Sequence, residues 1–133
     1  MRRDELRLSE SFNAMTCRLM KERGVTVEKL AERSGLSVIS IKRLRTDPCR
    51  FFEIEEIVAF CIALHLPPKL SQLYVAASPA KFLETTDMRL YQYMMLNCYD
   101  LPMPVVNRKL IEAGTPPLTS LIEGYDEQGR ALA

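Results

Sequence analysis

Residues 34–47 read SGLSVISIKRLRTD and place hydroxyl and basic side chains close together. The hydrogen-bond donors of this stretch include Ser37, Ser40, Lys42, Arg43 and Arg45. Donors and cations of this kind suit phosphate oxygens and the acceptor atoms on base edges. The stretch therefore predicts a surface for a polyanion. An ordinary solvated helix face is the alternative interpretation.

Two short helices joined by a tight turn would position these side chains. Thr26 is a suitable N-cap for the first helix and Ser37 for the second, which Asp47-Pro48 would end. Such helices need a small residue where they touch, a residue that tolerates positive φ in the turn, and apolar residues to dock the second helix. These needs are met in turn by Ala31, Gly35, Ile41 and Leu44. The spacing is typical of a DNA-binding helix-turn-helix, whose second helix enters the major groove.

The run LMKERGVTVEKLAERSGLSVISIKRLRTD resembles the helix-turn-helix of the phage Cro and lambda-repressor-like family, also called the Xre family. The matching residues are Leu19, Glu22-Arg23-Gly24, Thr26, Glu28, Leu30-Ala31-Glu32, Gly35, Ser37, Ile41 and Leu44. The similarity covers about residues 11–76, because Ile54, Ile57, Ala63-Leu64 and Leu73 match the fourth and fifth helices of such domains. The resemblance implies a five-helix domain that places residues 37–46 in the major groove of double-stranded DNA.

The resemblance also implies which residues meet DNA. The polar contacts would come from Thr26, Ser37, Ser40, Lys42 and Arg43, the apolar base contacts from Val38 and Ile39, and further phosphate contacts from Arg45 and Arg50. Arginine can bridge guanine O6 and N7, which is worth roughly 1–3 kcal/mol of discrimination, and an aliphatic side chain can touch thymine methyl groups.

Five positions depart from the family pattern. Val27 replaces a common glutamine that contacts phosphate, and Val38 and Ile39 stand where polar side chains usually approach base edges. Arg45 replaces a common glutamate, and His65 replaces a common glycine. These changes reduce the hydrogen-bonding capacity of the groove-facing surface. They support an alternative function, a DNA-blind protein-interaction module on the same fold, as in a toxin–antitoxin or phage-control system.

The charge distribution is asymmetric although the net charge is only +1. Residues 1–50 hold 12 Lys and Arg against 7 Asp and Glu, whereas residues 51–133 hold 6 against 10. The balance of +5 in the first part and −4 in the second favours a polyanion partner for the first part, with chance variation on solvated faces as the alternative.

Several classes of protein are disfavoured by the motifs. The four cysteines form no CxxC pair and His65 is the only histidine, so we expect no metal site. No nucleophile–base spacing, glycine-rich phosphate loop or paired-carboxylate motif is present, and we predict neither an enzyme nor a cofactor. No ligand pocket can be argued from the sequence. The longest apolar run, residues 57–64, is shorter than the roughly 20 residues of a membrane span, which predicts a cytoplasmic protein.

The remaining apolar periodicity predicts an all-α fold. A first helix is expected over residues 11–23, and further helices over 53–64, 68–74, 87–99 and 104–113. Ser78-Pro79 is the expected boundary between a helix-turn-helix domain, residues 1–78, and a C-terminal extension, residues 79–133, which consists of two helices and a partly ordered tail. Many Met and Tyr side chains in the extension indicate either a helical pair packed on the first domain or a homodimer interface. We predict a sequence-specific transcriptional regulator, specifically a repressor, that dimerises through these helices.

Overall fold

The computed structural model describes residues 10–48 and 51–124, and these residues form seven α-helices and no strand. The helices are α1 (Phe12–Glu22), α2 (Val27–Ser34), α3 (Val38–Thr46), α4 (Ile54–Ala63), α5 (Pro68–Ala77), α6 (Thr86–Asn97) and α7 (Met103–Glu112). The predicted all-α class is confirmed, and a helix overlaps every predicted segment. None of the described helices has the length and apolar character needed to cross a membrane.

Local capping groups determine where most helices begin. The side-chain oxygens of Ser11, Thr26, Ser37 and Thr85 each accept a hydrogen bond from the backbone N–H three residues later. At the start of α4, Glu53 and Glu56 form a reciprocal capping box, in which each side chain accepts from the backbone N–H of the other. A proline lies in the first turn of α5 and of α7. These interactions involve near neighbours in the chain, which is why the sequence predicts the helix starts well.

The hydrophobic core is built around α4. All its side chains from Ile54 to Ala63 are buried except two glutamates in the first turn, and it contacts α2, α5, α6 and α7. Phe60 of α4 stacks on Tyr74 of α5 with ring centroids 4.6 Å apart, and the Tyr74 hydroxyl forms a 2.8 Å hydrogen bond with Thr16 of α1. Because α6 and α7 pack on the same helix, the residues on both sides of the predicted boundary share one core. The division at residue 78 stays a prediction.

Four of the seven Met and Tyr side chains that the structure describes in the extension are buried in this core. Tyr91, Met94 and Met95 of α6 and Met103 of α7 are all buried. Their burial corresponds to the first alternative for the extension, a helical pair that packs back on the preceding helices. Tyr93 is different, because 55 % of its surface is exposed.

The segment of residues 115–124, called here the C-terminal segment, packs on the preceding chain. Asn107 of α7 is fully buried and holds this segment through all its polar positions. Its Nδ2 donates to Thr119 Oγ1 (2.9 Å) and to the Leu121 carbonyl (2.7 Å), and its Oδ1 accepts from the amides of Leu118 (2.8 Å) and Thr119 (3.3 Å). The Thr119 hydroxyl donates in turn to the Ser34 carbonyl at the end of α2, at 2.7 Å. Part of the predicted tail is thus bonded to a residue 85 positions earlier.

Candidate nucleic-acid interface

The helix-turn-helix unit consists of α2, a turn at residues 35–37, and α3. Gly35 ends α2 at φ +83°, a left-handed conformation that glycine adopts without steric cost. The turn is closed by a 3.0 Å hydrogen bond from the Leu36 amide to Ser34 Oγ. Ile41 and Leu44 of α3 are completely buried, as the spacing predicts. These contacts decide which side of α3 meets solvent.

The solvent side of α3, called here the α3 face, carries Ile39, Ser40, Lys42 and Arg43. Ile39 is 72 % exposed and Lys42 is exposed, whereas Ser40 and Arg43 are half-buried. Val38 differs from Ile39, because it is half-buried and packs against the core. Of the two apolar residues predicted to contact bases, Ile39 therefore presents the larger surface to a partner.

The hydroxyl groups near the helix starts differ in what they can still donate. Ser37 Oγ accepts from the Ser40 amide (3.0 Å) and donates to Ser40 Oγ (2.9 Å), so its proton is used within the cap. Ser40 Oγ keeps its own proton, since it acts as the acceptor in that bond. Thr26 Oγ1 accepts from the Lys29 amide (3.1 Å) and also keeps its proton. Ser40 and Thr26 are therefore better placed than Ser37 to donate to a phosphate or a base.

Arg43 is held on one side of α3 by two groups of the α3–α4 region. Its guanidinium lies 5.5 Å from the ring centroid of Phe52, a cation–π distance, and its Nε lies 3.9 Å from Asp47 Oδ2. The ion pair is too long for a hydrogen bond, and the Arg43 side chain keeps 41 % of its exposure. The arrangement restricts the guanidinium without sequestering its donors, which is suitable for a side chain that must bind an acceptor pair in one orientation.

A groove between α1, α2 and α3 gathers three cations at the N-terminus of α2. Lys21, Lys42 and Arg45 line it together with Thr26 and the acidic Glu28, and its volume is about 510 Å³; we call it the α2 groove. The positive end of the α2 dipole adds to the cationic field at this position.

Two features of the α2 groove concern positions that depart from the family pattern. The Nε of Arg45 is buried and has no hydrogen-bond partner among the described residues. Val27, which stands where a phosphate-binding glutamine is common, is buried. The positive charge of the groove therefore comes from the cations of neighbouring helices and not from the first residue of α2.

Asn13 and Phe52 belong to the site although nothing in the local sequence singles them out. Asn13 of α1 donates from Nδ2 to the carbonyls of Leu44 (2.9 Å) and Asp47 (3.0 Å), and so fixes the C-terminal end of α3. Phe52 is buried beside Arg43. Both act on α3 from other parts of the chain, and only the packing reveals their role.

The predicted site residues fall into two adjoining groups. Thr26, Lys42 and Arg45 line the α2 groove, and Ile39 and Ser40 lie on the α3 face with Lys42 and Arg43. Ser37 is used as a helix cap, as described above. Arg50 lies outside the described residues.

The fold and this surface define a helix-turn-helix protein whose second helix has one side docked in the core and a polar, cationic side open to solvent. Comparison with known families agrees: residues 18–69 match the model of the Cro/C1-type HTH DNA-binding domain. The predicted resemblance is thereby confirmed. No curated protein and no solved structure matches the chain. The family supports a DNA-binding regulator.

Proposed function

We propose that the protein is a sequence-specific transcriptional repressor that places α3 in the major groove of double-stranded DNA. The observation that carries this proposal is the α3 face, where Ile39 and Arg43 stand on the outside of a helix whose other side is docked by Ile41 and Leu44. Repression is the simplest regulation for such a domain, since occupancy of the operator is sufficient to block other proteins. No catalytic step is part of the proposal.

The α3 face would contact the bases, and the α2 groove would contact the DNA backbone. Arg43 would read a guanine through O6 and N7, Ser40 would donate to a neighbouring acceptor, and Ile39 would contact a thymine methyl group. Lys42, Arg45 and the Thr26 hydroxyl would hold a backbone phosphate at the α2 groove. Because α3 presents few base-reading donors, we expect modest specificity for one copy of the domain.

Modest specificity supports the proposal that the protein binds as a homodimer, with two α3 helices at two half-sites. In the extension, Leu83 and Tyr93 are the large apolar residues that stay exposed among those described. They are the best-placed contacts for a second copy of the extension, since the other Met and Tyr side chains are mostly in the core. We place this activity in the cytoplasm, where a regulator meets its operator.

The alternative of a DNA-blind interaction module is favoured by one observation, the exposed aliphatic side chain of Ile39. A salt titration separates the two functions. Operators would first be selected from random double-stranded DNA, and binding would then be measured by fluorescence anisotropy between about 50 and 200 mM salt. A repressor gives affinity that falls steeply with salt, whereas negligible binding at the lowest salt would refute DNA recognition and favour the interaction module.

The Lys42→Ala variant tests the role of the α2 groove. Removing one phosphate contact should weaken all DNA sequences alike and reduce the slope of log affinity against log salt by about 0.9. Lys109→Ala is the matched control, because Lys109 is also an exposed lysine on a helix but lies on α7. Equal slopes for Lys42→Ala and Lys109→Ala would remove Lys42 from the phosphate contacts.

A further inference from the structure

A cavity lies between the helix-turn-helix unit and the extension, and none of its lining residues lines the α2 groove or lies on the α3 face. It is lined by the last turn of α2, the end of α4, the start of α7 and Leu121 of the C-terminal segment. Its volume of about 420 Å³ is within the range of roughly 300–1,000 Å³ that is usual for small-molecule sites. Ala63, Met103 and Leu121 provide an apolar surface. We call it the junction cavity.

The junction cavity also contains an unpaired cation and an unpaired anion. Arg33 is half-buried, and its guanidinium makes no hydrogen bond or ion pair with any residue that the structure describes. Asp100 is exposed and lines the cavity from the turn between α6 and α7, and its carboxylate likewise makes no hydrogen bond or ion pair with any described residue. The two groups share one cavity without bridging each other. Glu32, the other acidic residue of the lining, lies 4.0 Å from Lys29.

His65 adds a strained backbone to the lining. It has φ +54°, the one positive φ among the described residues other than glycine. Such conformations cost free energy and persist where the surrounding structure holds them, often at ligand sites. Its Nδ1 lies 2.7 Å from the Tyr99 carbonyl, which can only accept, so Nδ1 donates this hydrogen bond.

We propose that the junction cavity binds a small zwitterion with an apolar body, namely an amino acid with an apolar side chain. The carboxylate of the ligand would pair with Arg33, the ammonium group with Asp100, and the side chain would lie on Met103 and Leu121. A zwitterion can pair with both Arg33 and Asp100, whereas a purely anionic or purely cationic ligand can pair with only one of them. Binding here would link the helix-turn-helix to the extension, and it is independent of whether the protein recognises DNA.

Calorimetric titration of the full chain without DNA tests this proposal. The probes are L-leucine and L-phenylalanine, together with phenylacetate and phenethylamine, which keep the aromatic body of phenylalanine but one charge each. We expect at least one of the two amino acids to bind with a Kd of about 1 mM or below and phenylacetate and phenethylamine to bind at least about tenfold more weakly. No saturable binding of either amino acid up to about 10 mM, or equal binding of a single-charge analogue, would overturn the proposal.

Substitutions test whether the amino acid binds in the junction cavity. Arg33→Gln and Asp100→Asn should each weaken the binding amino acid at least about tenfold, because each removes one charge of the pair. Arg89→Gln is the control, since Arg89 is an exposed arginine of α6 outside the cavity. Circular dichroism would verify that each variant is folded. Unchanged amino-acid affinity in a folded Arg33→Gln variant would refute the site, whatever the result of the DNA titrations.

Discussion

Replacing Gly35 by alanine should destabilise the protein more than the same replacement at Gly24, although both glycines follow a helix and both have positive φ. Gly24 has φ +62° and an added Cβ would meet nothing within 4 Å. Gly24→Ala should therefore cost only the left-handed conformation, about 1–2 kcal/mol.

At Gly35 the same conformational cost combines with crowding by the C-terminal segment. A Cβ there would lie 2.6 Å from Thr119 Oγ1 and 2.9 Å from Leu121 Cβ. Thr119 cannot easily turn away, because its hydroxyl accepts from Asn107 and donates to the Ser34 carbonyl. Crowding of this kind typically adds about 1–3 kcal/mol. The expected total for Gly35→Ala is about 2–5 kcal/mol.

Urea unfolding followed by far-ultraviolet circular dichroism would give the free energies of unfolding of the wild type and both variants. The informative quantity is the difference between the variants, since the conformational cost is common to both. Equal losses at Gly24 and Gly35 would show that the C-terminal segment does not press on the turn, and the packing argument would then be wrong.

The remaining predictions use the same assay or DNA binding. Asn107→Ala should lower the free energy of unfolding by about 2–4 kcal/mol, since it removes four hydrogen bonds to the C-terminal segment. Asn97→Ala is the control and should cost little, because Asn97 is exposed. Similar losses of stability in the two variants would contradict the role of Asn107. Stability should fall as the pH rises above about 10, because burial raises the pKa of Tyr74 and Tyr91 in the folded chain, and the unfolded chain therefore loses these protons first. A free energy of unfolding that stays constant through this range in a pH series would exclude that linkage. Arg43→Ala should relax base preference at one operator position by roughly 1–3 kcal/mol, measured on single-base variants, whereas uniform weakening would reassign Arg43 to a phosphate.

The local features of the chain determined the fold and the class of protein. Thr26 and Ser37 cap α2 and α3 with their own hydroxyls, and Gly35, Ile41 and Leu44 occur at the spacing that a closely crossed helix pair requires. Periodicity and capping depend on residues a few positions apart, so they can be read from the sequence. For that reason the helices and the DNA-binding domain were predicted, and the family match confirmed the domain.

The site was predicted less completely, because several of its properties depend on distant contacts. The sequence placed Arg43 on the outside of α3, but only the packing sets it beside Phe52 and Asp47. Similarly, the sequence identified Lys42 and Arg45 as cations but could not show that they meet at the start of α2.

Only the tertiary structure shows how the extension packs on the preceding helices. The Met and Tyr residues of the extension have an apolar pattern that fits either a core or a subunit interface. The structure buries four of those it describes in the core built around α4. The bond from Thr119 to Ser34 spans 85 positions and leaves no periodic signal. Sequence alone therefore determined the helices and the chemistry carried by α3, whereas the support of its turn and the junction cavity arise from side chains that only folding brings together.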